Sequence, residues 1–251
     1  MKYKDFSPDI WQKIKVATAK AKQSQSQPVA AFDADGTLWD TDLGEAFFDF
    51  LIDRKLVKLP QDPWAQYEHM KTLDKPAAYL WLAQICQGHP IETIRKWAQE
   101  SVETFKPLPV FEPQKKLIEY FLSEGVRVFI VTASIKWAVE PGAKYVGLTP
   151  DDVIGIETHV KNGLVTDQQK GEISYREGKV KALKVFTNDQ LPFFSTGNSE
   201  GDETLLESAT HLSLAVSASR RDDHLFRTEA NLLKLAQKKG WLGHRFVDDG
   251  P

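Results

Sequence analysis

The 251-residue sequence lacks several features that would place it in a special class of protein. It has one cysteine, Cys86, which excludes an internal disulfide framework and fits a reducing cytoplasm. No apolar run approaches the roughly 18 residues of a membrane helix, and the lysine-containing N-terminus lacks the continuous apolar centre of a secretory signal. We therefore expect a cytoplasmic protein without membrane contact, or a periplasmic one if a leader precedes this sequence in the gene.

Charge and histidine spacing argue against two further classes. The formal net charge of -3 gives no broad basic surface, so nucleic acid is a poor candidate partner. The six histidines lie in different predicted elements without the spacing of metal ligands, which argues against zinc: His69, His89, His159, His211, His224 and His244. A small molecule is the expected partner, and the sequence does not specify an oligomeric state.

What the sequence does contain is an alternation of predicted strands and helices. The strands are Val29 to Phe32, a run ending at Val131, and the segments DDVIGIE, LPFFSTGNS and HLSLAV, with an Asn-Gly hairpin in THVKNGLVTD. Helices are predicted between them, and a last helix stops at Gly240. This alternation predicts an α/β fold with a mostly parallel sheet covered on both faces.

Three regions are expected. Residues 1–27 are predicted to form an N-terminal helix and a polar linker; the helix is expected to pack against the core, with a second subunit as the alternative partner. Residues 45–106 show helical apolar spacing without a convincing strand, and the proline-rich FKPLPVFEP that follows suits a hinge. The interpretation is a core domain of residues 28–44 and 107–251 with a helical cap inserted at 45–106.

Polar side chains gather at the predicted strand ends. They are Asp33, Asp35 and Thr37 after the first strand, Thr132 and Ser134 after the second, Lys179 in the helix before the fourth, and Asn198 and Asp202 after the fourth. Parallel strands bring such ends to one rim, where ligands bind in α/β sheets. Two carboxylates, a hydroxyl, a lysine and a further polar pair suit phosphoryl transfer with a divalent cation.

The motifs DADGT, IVTAS, the lysine of GKVKAL and GNSEGD resemble, in order, the four motifs of the haloacid dehalogenase-like phosphatases. The resemblance runs from residue 29 to about residue 216. The inserted helices resemble the cap of the phosphoserine phosphatase-like branch, and GTLW is similar to the phosphorylcholine phosphatase-like branch. The resemblance implies a Rossmann-like three-layer core and hydrolysis of a small phosphorylated metabolite.

Each motif residue has an expected role. Asp33 would attack phosphorus and form an aspartyl-phosphate, and Asp35 would protonate the leaving oxygen and later activate water. Thr132 would donate to a phosphoryl oxygen, while Lys179 would balance the charge of nucleophile and phosphate. Further residues expected to contact substrate are Thr37, Trp39, Asp42, Glu45, Ala133 and Ser134.

A Mg²⁺ site completes the expectation. Its ligands would be Asp33, the backbone carbonyl of Asp35 implied by the family pattern, and Asn198 and Asp202 directly or through water. Asn198 departs from the family, since many relatives have aspartate there, and an amide brings no charge. Asp202, four residues on, and Glu200 or Glu203 are candidates to supply that charge.

The leaving group is indicated only by residues near the insertion. Trp39 is expected near the mouth, and Asp42 with Glu45 could meet the amine of phosphoserine or the quaternary ammonium of phosphocholine. Alternatively, Arg54 and Arg95 bind a substrate carboxylate, although such arginines are usually solvated.

Plainer interpretations stand beside these. Asp33 or Asp35 alone is typical of a turn or a cap. Cys86 is expected in the core, as are the tryptophans of the insertion, Trp64, Trp81 and Trp97. Two alternative functions are a dehalogenase, which would not need the acid Asp35, and a binding or regulatory module whose catalysis has been lost, for which Asn198 is the main support.

Overall fold

A computed structural model of the chain describes residues 3–223 and 225–248, so His224 lies outside the described residues. Its strands form one seven-stranded sheet in the order β4-β3-β2-β1-β5-β6-β7, in which only the β3–β4 pair is antiparallel. The strands are β1 Val29–Phe32, β2 Arg127–Ile135, β3 Val153–Lys161, β4 Leu164–Lys170, β5 Phe194–Gly197, β6 Leu212–Ser217 and β7 Leu242–Arg245. The predicted α/β class with a mostly parallel sheet is confirmed.

Helices cover this sheet because the strands are apolar on both faces. Alternate residues of β1 point to opposite sides. Ala30 and Phe32 belong to one core cluster, and Val29 and Ala31 to another. The helices are α1 Pro8–Ser24, α2 Leu43–Asp53, α3 Pro63–Leu73, α4 Lys75–Gln84, α5 Ile91–Val102, α6 Glu112–Ser123, α7 Lys136–Ala143, α8 Glu177–Thr187, α9 Glu203–Glu207 and α10 Phe226–Lys239.

The N-terminal helix α1 docks on the core, as expected. Its first turn is capped by Ser7, whose hydroxyl accepts from the N–H of Ile10, and Pro8 occupies the first turn, where a missing N–H costs nothing. Ile14 and Ala21 recur on one face and are fully buried in the cluster that contains Phe32. The linker that follows delivers the chain directly to β1.

Four helices, α2 to α5, lie between β1 and α6; we call residues 43–102 the helical insertion. They build a second core in which the Phe48 ring is packed edge-on against Trp64 and Trp81. Cys86 is fully buried there, and burial raises the pKa of its thiol to about 12. The packing role predicted for this cysteine and for the tryptophans is confirmed, with Trp97 partly buried against the same cluster.

The helical insertion is joined to the β3–β4 hairpin by backbone hydrogen bonds. The N–H of Gly88 donates to the carbonyl of Val165 at 2.9 Å, and the N–H of Val165 donates to the carbonyl of His89 at 3.0 Å. The N–H of Ile91 donates to the carbonyl of Gly163 at 2.9 Å. Val165 is also buried in the core of the insertion, so hairpin and insertion share both a ladder and an apolar cluster.

One strand boundary differs from the prediction, and one strand was not predicted. β2 does not end at Val131 but continues to Ile135, where pairing with β3 resumes after a register irregularity that contains the polar stretch Thr132 to Ser134. The segment after Gly240 was predicted only as the end of a helix, yet Leu242–Arg245 forms β7 along the edge of β6. No helix in the described part of the chain is long and apolar enough to span a membrane.

Candidate active site

Asp33 is held at the carboxyl end of β1. Its N–H donates to the carbonyl of Thr196 on β5 at 2.9 Å, which extends the ladder by one residue. The side chain is buried, and its Oδ2 accepts from the hydroxyl of Thr37 at 2.9 Å. The turn between them depends on Gly36, which has φ +71° and would bring a Cβ within 2.1 Å of the Asn198 amide nitrogen. Only glycine fits both the conformation and the space at this position.

Lys179 lies between two buried carboxylates. Its Nζ donates to Asp33 Oδ1 at 2.5 Å and to Asp202 Oδ1 at 2.6 Å, and the lysine side chain is 2% exposed. Burial alone would lower the pKa of Lys179, but the charges of Asp202 and Asp33 outweigh it and raise the pKa. The lysine is therefore a permanent cation at the centre of the rim.

Burial raises the pKa of Asp33 to about 7, and repulsion from Asp202 adds to this effect. The Lys179 ammonium opposes both, because it favours the charged form of the carboxyl group. A second cation beside Asp33 would further favour the ionised nucleophile. Additional positive charge at the site would therefore stabilise the ionised form of Asp33.

Asp35 is fixed by three hydrogen bonds. Its Oδ1 accepts from the indole of Trp39 and from the N–H of Leu43, both at 2.8 Å, and its Oδ2 accepts from the hydroxyl of Ser134 at 2.6 Å. Burial is the largest influence and raises the pKa of Asp35, while these donors lower it in part. A fixed carboxyl group with a raised pKa suits a general acid.

Trp39 is not at the mouth of the site, and that prediction is wrong. The residue is fully buried in the main core, where its ring lies against Gly142. Its indole reaches the site only through the hydrogen bond to Asp35. Trp39 therefore positions the acid, because its apolar ring packs inward while its one polar atom faces the rim.

The polar end of β2 supplies hydroxyl groups. The Thr132 hydroxyl accepts from the N–H of Ser134 at 3.0 Å, so its own proton is available for another acceptor. The carbonyl of Thr132 accepts from Ser174, a buried residue just before α8. Ala133 and Ser134 are partly exposed beside it, whereas Thr132 is buried. Contact of these residues with substrate stays a prediction.

Oxygen donors at the ends of β1 and β5 fit a Mg²⁺ ion. The Asn198 amide oxygen lies 3.3 Å from the Thr37 hydroxyl, which in turn donates to Asp33. Magnesium is typically held by one or two carboxylates and keeps several waters, so Asp33, the carbonyl of Asp35 and Asn198 form a suitable donor set. Among the described residues, no group of three or more His, Cys, Asp or Glu side chains forms an alternative metal site.

Asp202 is occupied by protein donors. Its Oδ1 accepts from Lys179, and its Oδ2 accepts from the N–H groups of Asn198 and Ser199 and from the Ser199 hydroxyl, at 3.0–3.2 Å. In this arrangement the carboxylate holds the lysine and shapes the loop after β5. Its direct ligation of a metal stays a prediction, and a water-mediated contact fits these bonds better.

Glu200 and Glu203 do not face Asn198. Glu200 is exposed and accepts from Asn231, and Glu203 pairs with Lys239, so both glutamates contact α10 away from the rim. The carboxylate behind Asn198 is Glu229, which no motif in the sequence indicated. It lies 31 positions along the chain and reaches the site only because α10 packs beside β6.

An acidic and aromatic group lies next to Asp35. Asp42 caps α2, with its Oδ1 accepting from the N–H of Glu45 at 2.7 Å. Burial first, and then the charges of Asp35 and Glu45, raise the pKa of Asp42 well above its usual range. The pKa of Tyr79 is raised by burial and then by its neighbours Tyr175, Asp42 and Glu45, and the rings of Tyr79 and Tyr175 are 5.3 Å apart.

The two arginines of the insertion are engaged elsewhere. Arg54 donates to Glu100 at 3.1 Å and lies over the ring of Phe50. Arg95 donates to the buried Glu140 of α7 at 3.0 Å. These ion pairs link helices to one another, and contact of either arginine with a substrate carboxylate would have to compete with them.

Comparison with known proteins identifies the family. The family model for haloacid dehalogenase-like hydrolases matches residues 30–207, a stretch that begins in β1 and ends with α9. This stretch contains every motif residue described above. The chain belongs to the haloacid dehalogenase-like hydrolases.

Individual relatives of this hydrolase are distant. A phosphorylcholine phosphatase of Pseudomonas aeruginosa is 22% identical over 191 residues, which cover 60% of this chain and 54% of the relative. The chain thus spans about half the length of that curated relative. A Bordetella pertussis protein of unknown function has a TM-score of 0.72 at 19% identity, covering 88% of this chain and 99% of its own.

A solved phosphoserine phosphatase, described as a phospho-aspartyl intermediate analogue, has a TM-score of 0.54 at 16% identity. It covers 89% of this chain and 95% of its own. At such identities the structural likeness concerns the fold.

Proposed function

We propose that this haloacid dehalogenase-like hydrolase is a Mg²⁺-dependent phosphomonoesterase that acts through an aspartyl-phosphate on Asp33. The observation that carries the proposal is the placement of Asp33 and Asp202 on either side of the buried Lys179, beside the hydrogen-bonded acid Asp35. A phosphate monoester is an anion, so a carboxylate can attack it only where positive charge is fixed. Lys179 supplies one such charge, and Mg²⁺ would supply a second beside Asp33.

The roles of the two aspartates follow from their surroundings. Asp33 has a carboxylate that is oriented by Thr37 and Lys179, as a nucleophile requires. Asp35 carries the raised pKa of a group that holds a proton and gives it to a leaving oxygen. After transfer, the ionised Asp35 would take a proton from the water that hydrolyses the aspartyl-phosphate. The dehalogenase alternative has no use for such an acid.

We propose further that the substrate is a small metabolite with a cationic leaving group, and that the helical insertion is its cap. Asp42 and Glu45 put negative charge beside Tyr79 and Tyr175; Lys71, 3.6 Å from Glu45, balances part of it, and the raised pKa of Asp42 reflects how unfavourable the remaining charge is. A substrate cation would relieve it and stack on the rings. With Arg54 and Arg95 engaged in ion pairs, phosphocholine fits better than phosphoserine, whose carboxylate would lack a partner among them.

The test begins with p-nitrophenyl phosphate, with and without Mg²⁺, and with Asp33→Asn as the inactive control. Metal-dependent release of nitrophenol that is lost in Asp33→Asn is the expected result. Release that persists in this variant would refute the nucleophile. Absence of nitrophenol release by folded wild-type protein in excess Mg²⁺ would favour the binding-module alternative.

Substrate preference is tested with phosphocholine, phosphoserine and neutral glycerol phosphate. We expect the highest kcat/KM for phosphocholine, and Asp42→Asn should raise its KM while changing that of glycerol phosphate little. The exposed Asp49, which contacts Trp64 on another face of α2, provides the matched control Asp49→Asn. Equal preference for all three esters would refute the cationic subsite.

A further inference from the structure

Glu229 is a buried carboxylate directly behind Asn198. It lies in the first turn of α10 and is 1% exposed. Its Oε2 accepts from the N–H groups of Ala218 and Ser219 and from the Ser217 hydroxyl, at 2.8–3.0 Å. Its Oε1 accepts from the Asn198 amide at 3.1 Å. All four partners are donors, so the glutamate acts only as an acceptor toward Asn198.

This contact determines which way the Asn198 amide points. An amide has one donating and one accepting end, and a carboxylate accommodates only the donating end. With its nitrogen on Glu229, Asn198 turns its oxygen toward Thr37 and, through the Thr37 hydroxyl, toward Asp33. The reverse orientation would put two acceptor oxygens about 3 Å apart in a buried setting, which is unfavourable.

We propose that Glu229 is a positioning residue that fixes the Asn198 amide with its oxygen toward the Mg²⁺ site and carries, one hydrogen bond behind it, the negative charge that the amide lacks. The inference rests on the proposed function for its metal. Carboxylates behind metal ligands orient the ligand and strengthen its donor atom, and losing one commonly weakens metal binding 10- to 100-fold. In this arrangement Asn198 and Glu229 together replace the single aspartate that many relatives have at this place.

The pair makes a prediction that a merely structural role does not. A carboxylate at position 198 would meet that of Glu229, so Asn198→Asp alone should destabilise the fold and weaken metal binding. Glu229→Gln alone should weaken Mg²⁺ binding by at least 10-fold, because the new amide would keep its oxygen on the three donors of residues 217–219 and turn its NH₂ toward Asn198, which favours the reversed orientation of the Asn198 amide. The double variant Asn198→Asp/Glu229→Gln exchanges the carboxylate and the amide, restores a donor–acceptor contact between the two positions and keeps the total charge.

The experiment is a double-mutant cycle on the full chain, with Asn198→Asp, Glu229→Gln and the combined variant. Mg²⁺ binding is measured by isothermal titration calorimetry after EDTA treatment, and urea unfolding is measured in EDTA at pH 8. We expect both single variants to bind Mg²⁺ at least 10-fold more weakly, and the double variant to bind within threefold of the wild type. The unfolding midpoint should fall in Asn198→Asp and recover in the double variant. Glu203→Gln, which removes an exposed contact to Lys239 of α10, is the matched control and should change neither quantity.

Two results would overturn the inference. If the double variant shows the sum of the two single effects, Asn198 and Glu229 are not coupled. If Glu229→Gln binds Mg²⁺ as the wild type does, the orientation of the amide does not matter to the metal. Absence of Mg²⁺ binding by the wild type would refute the metal-dependent reaction itself, while the unfolding cycle in EDTA still decides whether Glu229 sets the orientation of Asn198.

Discussion

Replacing Lys179 by methionine tests the charge arrangement of the site most directly. The lysine is 2% exposed and donates to both Asp33 and Asp202, so Lys179→Met leaves two carboxylates buried without their cation. Removing one partner of a buried ion pair costs about 3–5 kcal/mol, and at pH 8 we expect a loss of this size in the free energy of unfolding. At pH 5 the loss should fall to about half, because Asp33 then binds a proton and the two carboxylates no longer repel.

The sign of this pH dependence follows from the raised pKa of Asp33. Its pKa is about 7 in the folded protein and about 4 in the unfolded chain, so the folded state binds more protons between these values. The contribution of this carboxyl group to stability is complete below pH 4 and is lost as the pH rises toward 7. Loss of Lys179 removes the interaction that lowers the pKa of Asp33. The pH range in which folded Asp33 holds its extra proton should then extend to higher pH.

Urea unfolding in EDTA at the two pH values provides the measurement. Lys181→Met is the matched control, because Lys181 is exposed on the same helix and its replacement should cost less than about 0.5 kcal/mol at either pH. A cost for Lys179→Met below about 1 kcal/mol at pH 8, or an equal cost at both pH values, would refute the reasoning from buried charge.

Three further outcomes are expected. Ser134→Ala removes the 2.6 Å donor that lowers the pKa of Asp35, so the alkaline limb of the kcat/KM profile should move to higher pH; an unchanged limb would contradict the role of Asp35 as the acid. Gly36→Ala should lower the free energy of unfolding by more than about 1 kcal/mol in urea titration, since φ is +71° and the new Cβ meets Asn198, and a neutral effect would contradict the close approach. Cys86 should react with a thiol reagent only at the rate of unfolding, and rapid labelling of the native protein would contradict its burial.

Local pattern was sufficient to predict the residues at the strand ends. Asp33 follows four apolar residues, and the side-chain period of a strand together with parallel pairing brings Asp33, Lys179 and Asp202 to one rim. The β2 boundary was missed because Thr132 to Ser134 look like a loop when polarity is judged residue by residue. They stay in the strand between Val131 and Ile135, both of which pair with β3, and local composition does not encode that pairing.

Other parts of the site arise only from tertiary packing. Trp39 was expected near the mouth of the site because it lies two residues past Thr37, yet its ring is fully buried and only its indole nitrogen reaches Asp35. Glu229 could not be assigned from a helix of ordinary composition, since its partner Asn198 lies 31 residues away. β7 was missed because the short segment WLGHRF has no strand-like alternation and gains its shape from the edge of β6.

The ladder between the helical insertion and the β3–β4 hairpin has a consequence for protein engineering. The insertion is contiguous in sequence, so exchanging residues 43–102 with a relative would look like a clean cassette swap. Its residues Gly88 and Ile91, however, bond to the backbone of the hairpin, and Val165 of the hairpin completes its core. A chimaera that imports only the helices would leave these N–H groups and this apolar side chain without their partners. The transferable module therefore consists of two pieces of chain, the four helices and the distant hairpin, which have to travel together.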